Sequence, residues 1–126
     1  MGSWDINLTA QVENWFLELA KDDPDCANQV AAAIDMLSAV GPTLGRPLVD
    51  QIKASRHQNM KELRPGSTGN SEIRVLFAFD PERSAILLIA GNKAGKWKEW
   101  YKENIPLADE AYDNHLAELK GQHHGE

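Results

Sequence analysis

The sequence predicts an α+β fold: an N-terminal helical hairpin packed on a twisted antiparallel β-sheet, with a C-terminal helix. Three observations carry that expectation. Apolar residues recur at helical spacing up to Leu37. Between Met60 and Ala90 the period drops to two, with turn formers between the runs. After Ile105 the helical spacing returns. With 126 residues, 42% hydrophobic and 25% charged, the chain suits one soluble domain, taken here as residues 1–120, followed by a disordered tail at 121–126.

Trp4-Asp5-Ile6-Asn7-Leu8 alternates apolar and polar side chains, the pattern of a half-buried strand. Thr9 can then cap a helix whose stripe is Val12, Trp15, Phe16 and Leu19. Asp22-Asp23-Pro24 closes it and opens a second helix, with Asp23 as N-cap and Pro24 in the first helical position. Ala27, Val30, Ala33, Ile34 and Leu37 share one face of that helix, and Gly41-Pro42 stops it. Thr43 to Asn59 reads as a connecting loop with a short strand at Leu48–Ile52. Met60–Arg64, Glu72–Phe79 and Ala85–Ala90 read as three meander strands, joined by the turn-rich Pro65–Ser71 and the tight Asp80-Pro81-Glu82-Arg83. Gly91–Gly95 leaves the sheet, and Lys96–Asn104 forms a helical turn. Ile105-Pro106 opens the last helix, with Ala108, Ala111, Tyr112, His115 and Leu119 on one face. Helices on one face would leave the other face of the sheet to solvent or a ligand.

Composition narrows the function classes. One cysteine, Cys26, permits neither an internal disulfide nor a cysteine-based zinc cluster, and a reducing cytoplasm is the expected compartment. The longest apolar run, Ser84–Gly91, is far short of the roughly 20 residues that span a bilayer, and Met1–Asp5 has no secretory character, so no membrane role is expected. The net charge is −6, but it is unevenly spread. Residues 1–52 carry −6 and residues 103–126 carry −5. Residues 53–102, with ten basic side chains against five acidic, carry +5. A basic block between acidic flanks points to an anionic partner; the plainer reading is solvated lysines beside acidic helices.

The sequence holds no phosphate-cradling glycine loop, no HExxH, no Cys-x-x-Cys and no Gly-x-Ser-x-Gly, and no residue set has metal-ligand spacing, so neither metal nor cofactor is expected. His123 and His124 read as incidental and His115 as a packed or surface residue; His57, inside the basic block, is the histidine kept as a candidate. The other candidates are cations on or beside the meander: Lys61, Arg64, Arg74 and Lys93. In Glu72–Phe79 the set Ile73, Val75, Phe77 and Phe79 faces the core, which sends Arg74 to the other face. Such a group can bind phosphate and stabilise charge developing on a phosphoryl group. The alternative is that Arg74 pairs with Glu62 or Glu72 across the sheet and the lysines are solvated.

The stretch "KELRPGSTGNSEIRVLFAFDP" followed by "ILLIAGNKAGKWKEWY", with "GPTLGRPLVDQIKASRHQNM" before them, resembles the RelE/ParE toxin superfamily in its phage-derived HigB-type branch. The resemblance runs from Trp4 to about Leu119 and rests on the order and spacing of the motifs. It implies the toxin of a type II toxin–antitoxin system: a metal-independent, ribosome-dependent mRNA endonuclease that inhibits translation. Its implied partners are a helix-turn-helix, HigA-like antitoxin, the ribosome and mRNA. Carried over residue by residue, Arg74 contacts the scissile phosphate. Lys93 stabilises the transition state or leaving group. Arg64 binds phosphate or is structural, and Lys61 or His57 is the general base. Lys96, Lys98, Trp97 and Tyr101 would hold RNA, the aromatics by stacking on bases. The superfamily also contains ParE-like inhibitors of DNA gyrase, and a non-catalytic antitoxin-binding relative is a third reading.

Overall fold

The computed structural model describes residues 3–66 and 69–124, with side chains as far as Gly121. Met1-Gly2, the Ser67-Thr68 part of the predicted turn, the side chains of His123 and His124, and the last two tail residues lie outside the described residues. The elements run β1 (Asp5–Leu8), α1 (Ala10–Asp22), α2 (Pro24–Val40), β2 (Val49–Gln51), β3 (Lys61–Leu63), β4 (Ile73–Phe79), β5 (Ser84–Asn92) and α3 (Trp97–His124). The sheet order is β1-β5-β4-β3-β2.

Local chemistry fixes the hairpin. Thr9 caps α1 by accepting from the Val12 amide at 3.3 Å, and its hydroxyl donates to the Leu88 carbonyl at 2.8 Å. Asp23 ends α1 and caps α2 in one residue, its carboxylate accepting from the Cys26 amide at 3.1 Å, with Pro24 following as predicted. Where β1 stops, Gln11 takes over the edge of β5. Its amide accepts from Ala90 N at 2.9 Å and donates to Ala90 O at 3.0 Å. A buried backbone pair is thus satisfied without a strand.

The α+β class and the C-terminal helix stand as predicted, with three corrections. The sheet is mixed: β1 pairs parallel with β5, Asp5 opposite Ser84 through Leu8 opposite Leu87, while every other pairing is antiparallel. The helices occupy both faces. α1 and α2 pack on Leu63, Val75, Phe77, Ala85, Leu87 and Ala90, whereas α3 packs Trp100, Ile105, Ala108 and Tyr112 on Leu76, Ala78, Ile86, Leu88 and Ile89. Finally, α3 is one helix from Trp97 to His124, with Pro106 inside it. Pro106 is exposed, and the buried Trp100, Ile105 and Ala108 around it hold both halves on the sheet, so packing overrides the proline signal.

The second face of the sheet has a readable cause. β5 carries a register shift in which Leu76 opposes Ile89 but Phe77 opposes Leu87. Leu88 is therefore an extra residue, and Leu88 and Ile89 both point at α3. That bulge gives the α3 side enough apolar surface to bury a helix. Close approach is completed at Gly91, where a Cβ would stand 2.8 Å from Trp100 Nε1.

Candidate functional site

On the α3 side of the sheet, the polar positions of three strands gather near the start of α3. The alternation that buries Leu63 under α2 turns Glu62 and Arg64 toward α3. Arg74 stands opposite Gly91 in the register and faces the same way, as the predicted core set Ile73, Val75 and Phe77 requires. Lys93 follows β5, and Trp97 and Tyr101 come from the first turns of α3.

Glu62 is the hub. It is 3% exposed. One carboxylate oxygen, Oε2, accepts from Arg64 Nε at 3.0 Å and Nη2 at 2.8 Å; the other, Oε1, accepts from the Tyr101 hydroxyl at 2.6 Å and lies 3.7 Å from Arg74 Nε. Arg64 is also held by Asp50 at 3.0 Å. Arg74 donates from Nη1 to the carbonyl of Ile73 at 2.8 Å, while its Nε is buried with no hydrogen-bond acceptor among the described residues. Lys93 is 6% exposed, and its ammonium lies 3.9 Å from Glu72 and 4.4 Å and 5.1 Å from the ring centroids of Trp97 and Tyr101. Trp97 takes a φ of +34°, a strained conformation for a tryptophan, at the turn where the amides of Lys96 and Trp97 both donate to Lys93 O.

The electrostatics follow from burial and crowding. Burial first, then the neighbouring Arg74, pulls the Lys93 pKa below its usual value. Burial and the hydrogen bond to Glu62 push the Tyr101 hydroxyl up to about 12. Burial opposes the Arg64 charge, but the bond to Glu62 and the nearby Asp50 outweigh it, so its pKa rises. Arg64 is thus fully compensated. The half-buried Arg74 and the buried Lys93 stand 3.7 and 3.9 Å from their carboxylates, and the Arg74 charge disfavours that of Lys93.

The structure brings together Arg64, Arg74, Lys93, Trp97 and Tyr101 of the residues singled out from the sequence. Lys96 and Lys98 are exposed beside them at the start of α3. It does not bring Lys61 or His57. Lys61 shares its side of the sheet with Leu63, donates to Pro42 O at 3.3 Å and lies over the Phe79 ring at 5.7 Å. One step along a strand reverses the face, so Lys61 cannot follow Glu62. His57 packs edge-on against Tyr112 with Nε2 2.8 Å from Asp113 Oδ1. The nearby Asn59 donates to Phe79 O, at the far end of β4 and roughly 17 Å along the strand from Arg74. Sequence reasoning named Glu62 only as a partner for Arg74; the signal it underused was Lys61-Glu62-Leu63-Arg64, whose alternation places Glu62 and Arg64 on one side. Among the described residues no three or more His, Cys, Asp or Glu converge on a metal-sized position, and no helix is long and apolar enough to cross a membrane.

Comparison with known proteins agrees with the resemblance. Residues 15–113 match the family described as "Phage derived protein Gp49-like". Two proteins of Mycobacterium tuberculosis are each 54% identical to the chain. "Putative toxin HigB3" aligns over 116 residues, 92% of this chain and 96% of its own length. "Putative toxin HigB2" aligns over 115 residues, 91% of this chain, which spans 57% of that longer protein. The chain belongs to the phage-derived Gp49-like family and is of the HigB type.

Proposed function

We propose that the chain is the toxin of a toxin–antitoxin pair and that it cleaves mRNA on the ribosome. The observation that carries this reading is the pair of weakly compensated cations, the half-buried Arg74 and the buried Lys93. An anion placed between them stabilises both, because the carboxylates they face stand at 3.7 and 3.9 Å, beyond hydrogen-bond distance. A phosphodiester whose ribose 2′-OH attacks the adjacent phosphorus gains charge on its non-bridging oxygens in the transition state. Two cations fixed by a strand and by a sheet-to-helix turn stabilise that added charge without reorganising.

Lys93 suits a second role. With its pKa lowered, its ammonium gives up a proton more readily than a solvated lysine, which fits it to protonate the leaving 5′-oxygen or to exchange protons with the attacking hydroxyl. Arg64 and Glu62 act as the support that fixes Tyr101, and Trp97, 57% exposed with Lys93 over its ring, offers its remaining surface to a splayed base. The implied partner is an antitoxin of the helix-turn-helix, HigA-like kind, whose co-expression restores growth.

One observation favours the non-catalytic alternative: Glu62, Asp50 and Glu72 supply a carboxylate for each cation. The deciding experiment compares Arg74→Ala with Arg83→Ala. Arg83 carries the same charge but sits in the β4–β5 turn, exposed, over the ring of Trp4 at 4.4 Å. Primer extension on cellular mRNA after induction should show cleavage reduced about 10²–10³-fold by Arg74→Ala and scarcely by Arg83→Ala. Equal losses would mean bulk electrostatic docking. Growth arrest with intact mRNA would favour the gyrase reading.

A further inference from the structure

Lys93 is held unlike the lysines around it. Lys53, Lys96, Lys98 and Lys102 are exposed, whereas Lys93 is buried between Glu72 and the rings of Trp97 and Tyr101. It follows β5, and Arg74 lies opposite Gly91, so the two cations are diagonal neighbours about 7–8 Å apart at the backbone. The Lys93 ammonium donates no hydrogen bond among the described residues, yet it is not enclosed as Arg74 Nε is, so it keeps an opening to solvent. We propose that Lys93 is a modification site for small acyl phosphates: Arg74 holds the phosphate of the reagent, and the Lys93 amine takes its acyl group. This rests on the anion-binding part of the reading above and not on RNA cleavage.

The neutral amine attacks the acyl carbon. A new N–C bond forms, and the bond from that carbon to the phosphate oxygen breaks. Inorganic phosphate leaves and takes the amine proton with it. Attack needs the neutral amine, which is only about 0.04% of a solvated lysine at pH 7. Three features raise the rate at Lys93. Burial and the Arg74 charge pull its pKa down, which enlarges the neutral fraction. Arg74 faces Glu62 at 3.7 Å, beyond hydrogen-bond distance, and so offers a fixed cation to the bound reagent and to the phosphate that leaves. The sheet-to-helix turn fixes the lysine backbone: its amide donates to Glu72 O at 2.9 Å, and its carbonyl accepts from the amides of Lys96 and Trp97. The product is a neutral amide, without the attraction to Glu72 or to the two rings. It leaves the cluster one weakly compensated cation instead of two. Acylation of Lys93 therefore switches the anion site off.

The test treats the purified chain with acetyl phosphate at pH 7 and follows each lysine by mass spectrometry of its peptides. Lys93 should be acetylated about tenfold or more faster than the exposed Lys53 and Lys98. Inorganic phosphate should slow Lys93 and leave Lys53 and Lys98 unaffected. Acetic anhydride carries no phosphate and should show less preference for Lys93 than acetyl phosphate does. Arg74→Ala should bring Lys93 toward the rate of the exposed lysines, and the phosphate competition tests the same contact in the unaltered chain. Acetylation of Lys93 no faster than of Lys53 and Lys98, or at a rate indifferent to inorganic phosphate, would overturn the proposal. A chain acetylated at Lys93 that still cuts mRNA fails the role given to Lys93 in cleavage and leaves the modification site standing. One that cuts mRNA but shows no preference for Lys93 fails the site alone.

Discussion

Glu62→Gln keeps the shape of the buried side chain and removes its charge, and so asks how much the site depends on one carboxylate. Glu62 is 4% exposed at the side chain, against 17% for Arg74 and 34% for Arg64. Removing one partner of a fully buried ion pair costs about 3–5 kcal/mol, and an exposed pair contributes about 0–1 kcal/mol. Arg64 retains Asp50 at 3.0 Å and keeps a third of its surface in water, so it recovers part of the loss. Arg74 retains the Ile73 carbonyl and its contact with Tyr101 but no carboxylate as near as Glu62 among the described residues. The expected net cost is about 2–3 kcal/mol. Urea unfolding at pH 7 measures it, with an unchanged m-value as the sign that the native state stays intact. Tyr101→Phe removes a single hydrogen bond and should cost about 1 kcal/mol. Because both variants act on one carboxylate, the double variant should be less destabilised than the sum of the two. A cost for Glu62→Gln below about 0.5 kcal/mol, the level of an exposed ion pair, would refute the account of the cluster as a buried, mutually supporting unit.

Three further outcomes follow from the same geometry. Tyr101 ionises near 12 in the folded chain against about 10 when unfolded, so stability is full below pH 10 and falls as the pH rises from 10 toward 12; Tyr101→Phe should flatten that fall in thermal melts. Gly91→Ala drives a methyl into the Trp100 indole at 2.8 Å and should cost about 1–3 kcal/mol, visible as a lower Tm and an altered near-UV signal, whereas an unchanged Tm would mean the helix–sheet contact is loose. His57→Ala and Lys61→Ala should leave mRNA cleavage within a few-fold of the parent in the induction assay, since both side chains lie away from Arg74. A hundredfold loss in either would show that the substrate spans more of the surface than the cluster.

The parts of this fold that the sequence makes legible are those set by local chemistry. Thr9 and Asp23 cap the helices where their side chains predict, and the period-two alternation of β4 fixes which way Arg74 points before any partner is known. The rest depends on contacts distant in sequence. Nothing within Trp4–Leu8 says that its neighbour will be a strand 79 residues away, and parallel with it. The strand Ala85–Ala90 reads as wholly apolar because it is buried on both faces, which in hindsight calls for a second helical layer, yet the bulge at Leu88 is invisible without the register. Pro106 gives a true local signal, absence of a helical N–H, that packing of Trp100, Ile105 and Ala108 overrides. Alternation sends Arg64 and Arg74 to the side where the structure gathers them with Lys93. His57 lies apart from that cluster, because the Arg56-His57 pair forms, in space, a clamp on Asp113 of α3.

That clamp and the cluster divide the work of holding α3. At the middle of the helix, Asp109 and Asp113 tie down Ser55, Arg56 and His57, and His115 sits 2.7 Å from Asp80, which also accepts from the amides of Glu82 and Ser84. At its start, the helix is fixed by Tyr101 on Glu62 and by Trp97 and Tyr101 on Lys93. At Ser55–His57 the carboxylates come from the helix, at His115 the carboxylate is Asp80 of the β4–β5 turn, and at the start of the helix they come from β2, β3 and the residue before β4. The cations at the start are Arg64, Arg74 and Lys93, all on the sheet or just beyond it. Hence the first turns of α3 contribute aromatic rings and no anion to the cluster, apart from the exposed Glu99. A ring beside an ammonium is a weaker counterpart than a carboxylate, typically about 0.5–2 kcal/mol. An incoming phosphate therefore competes at Lys93 with rings and with a glutamate 3.9 Å away, and at Arg74 with a carboxylate 3.7 Å away. Within the cluster the tight pairs are those of Arg64, and the loose ones, at Arg74 and Lys93, are where an anion can enter.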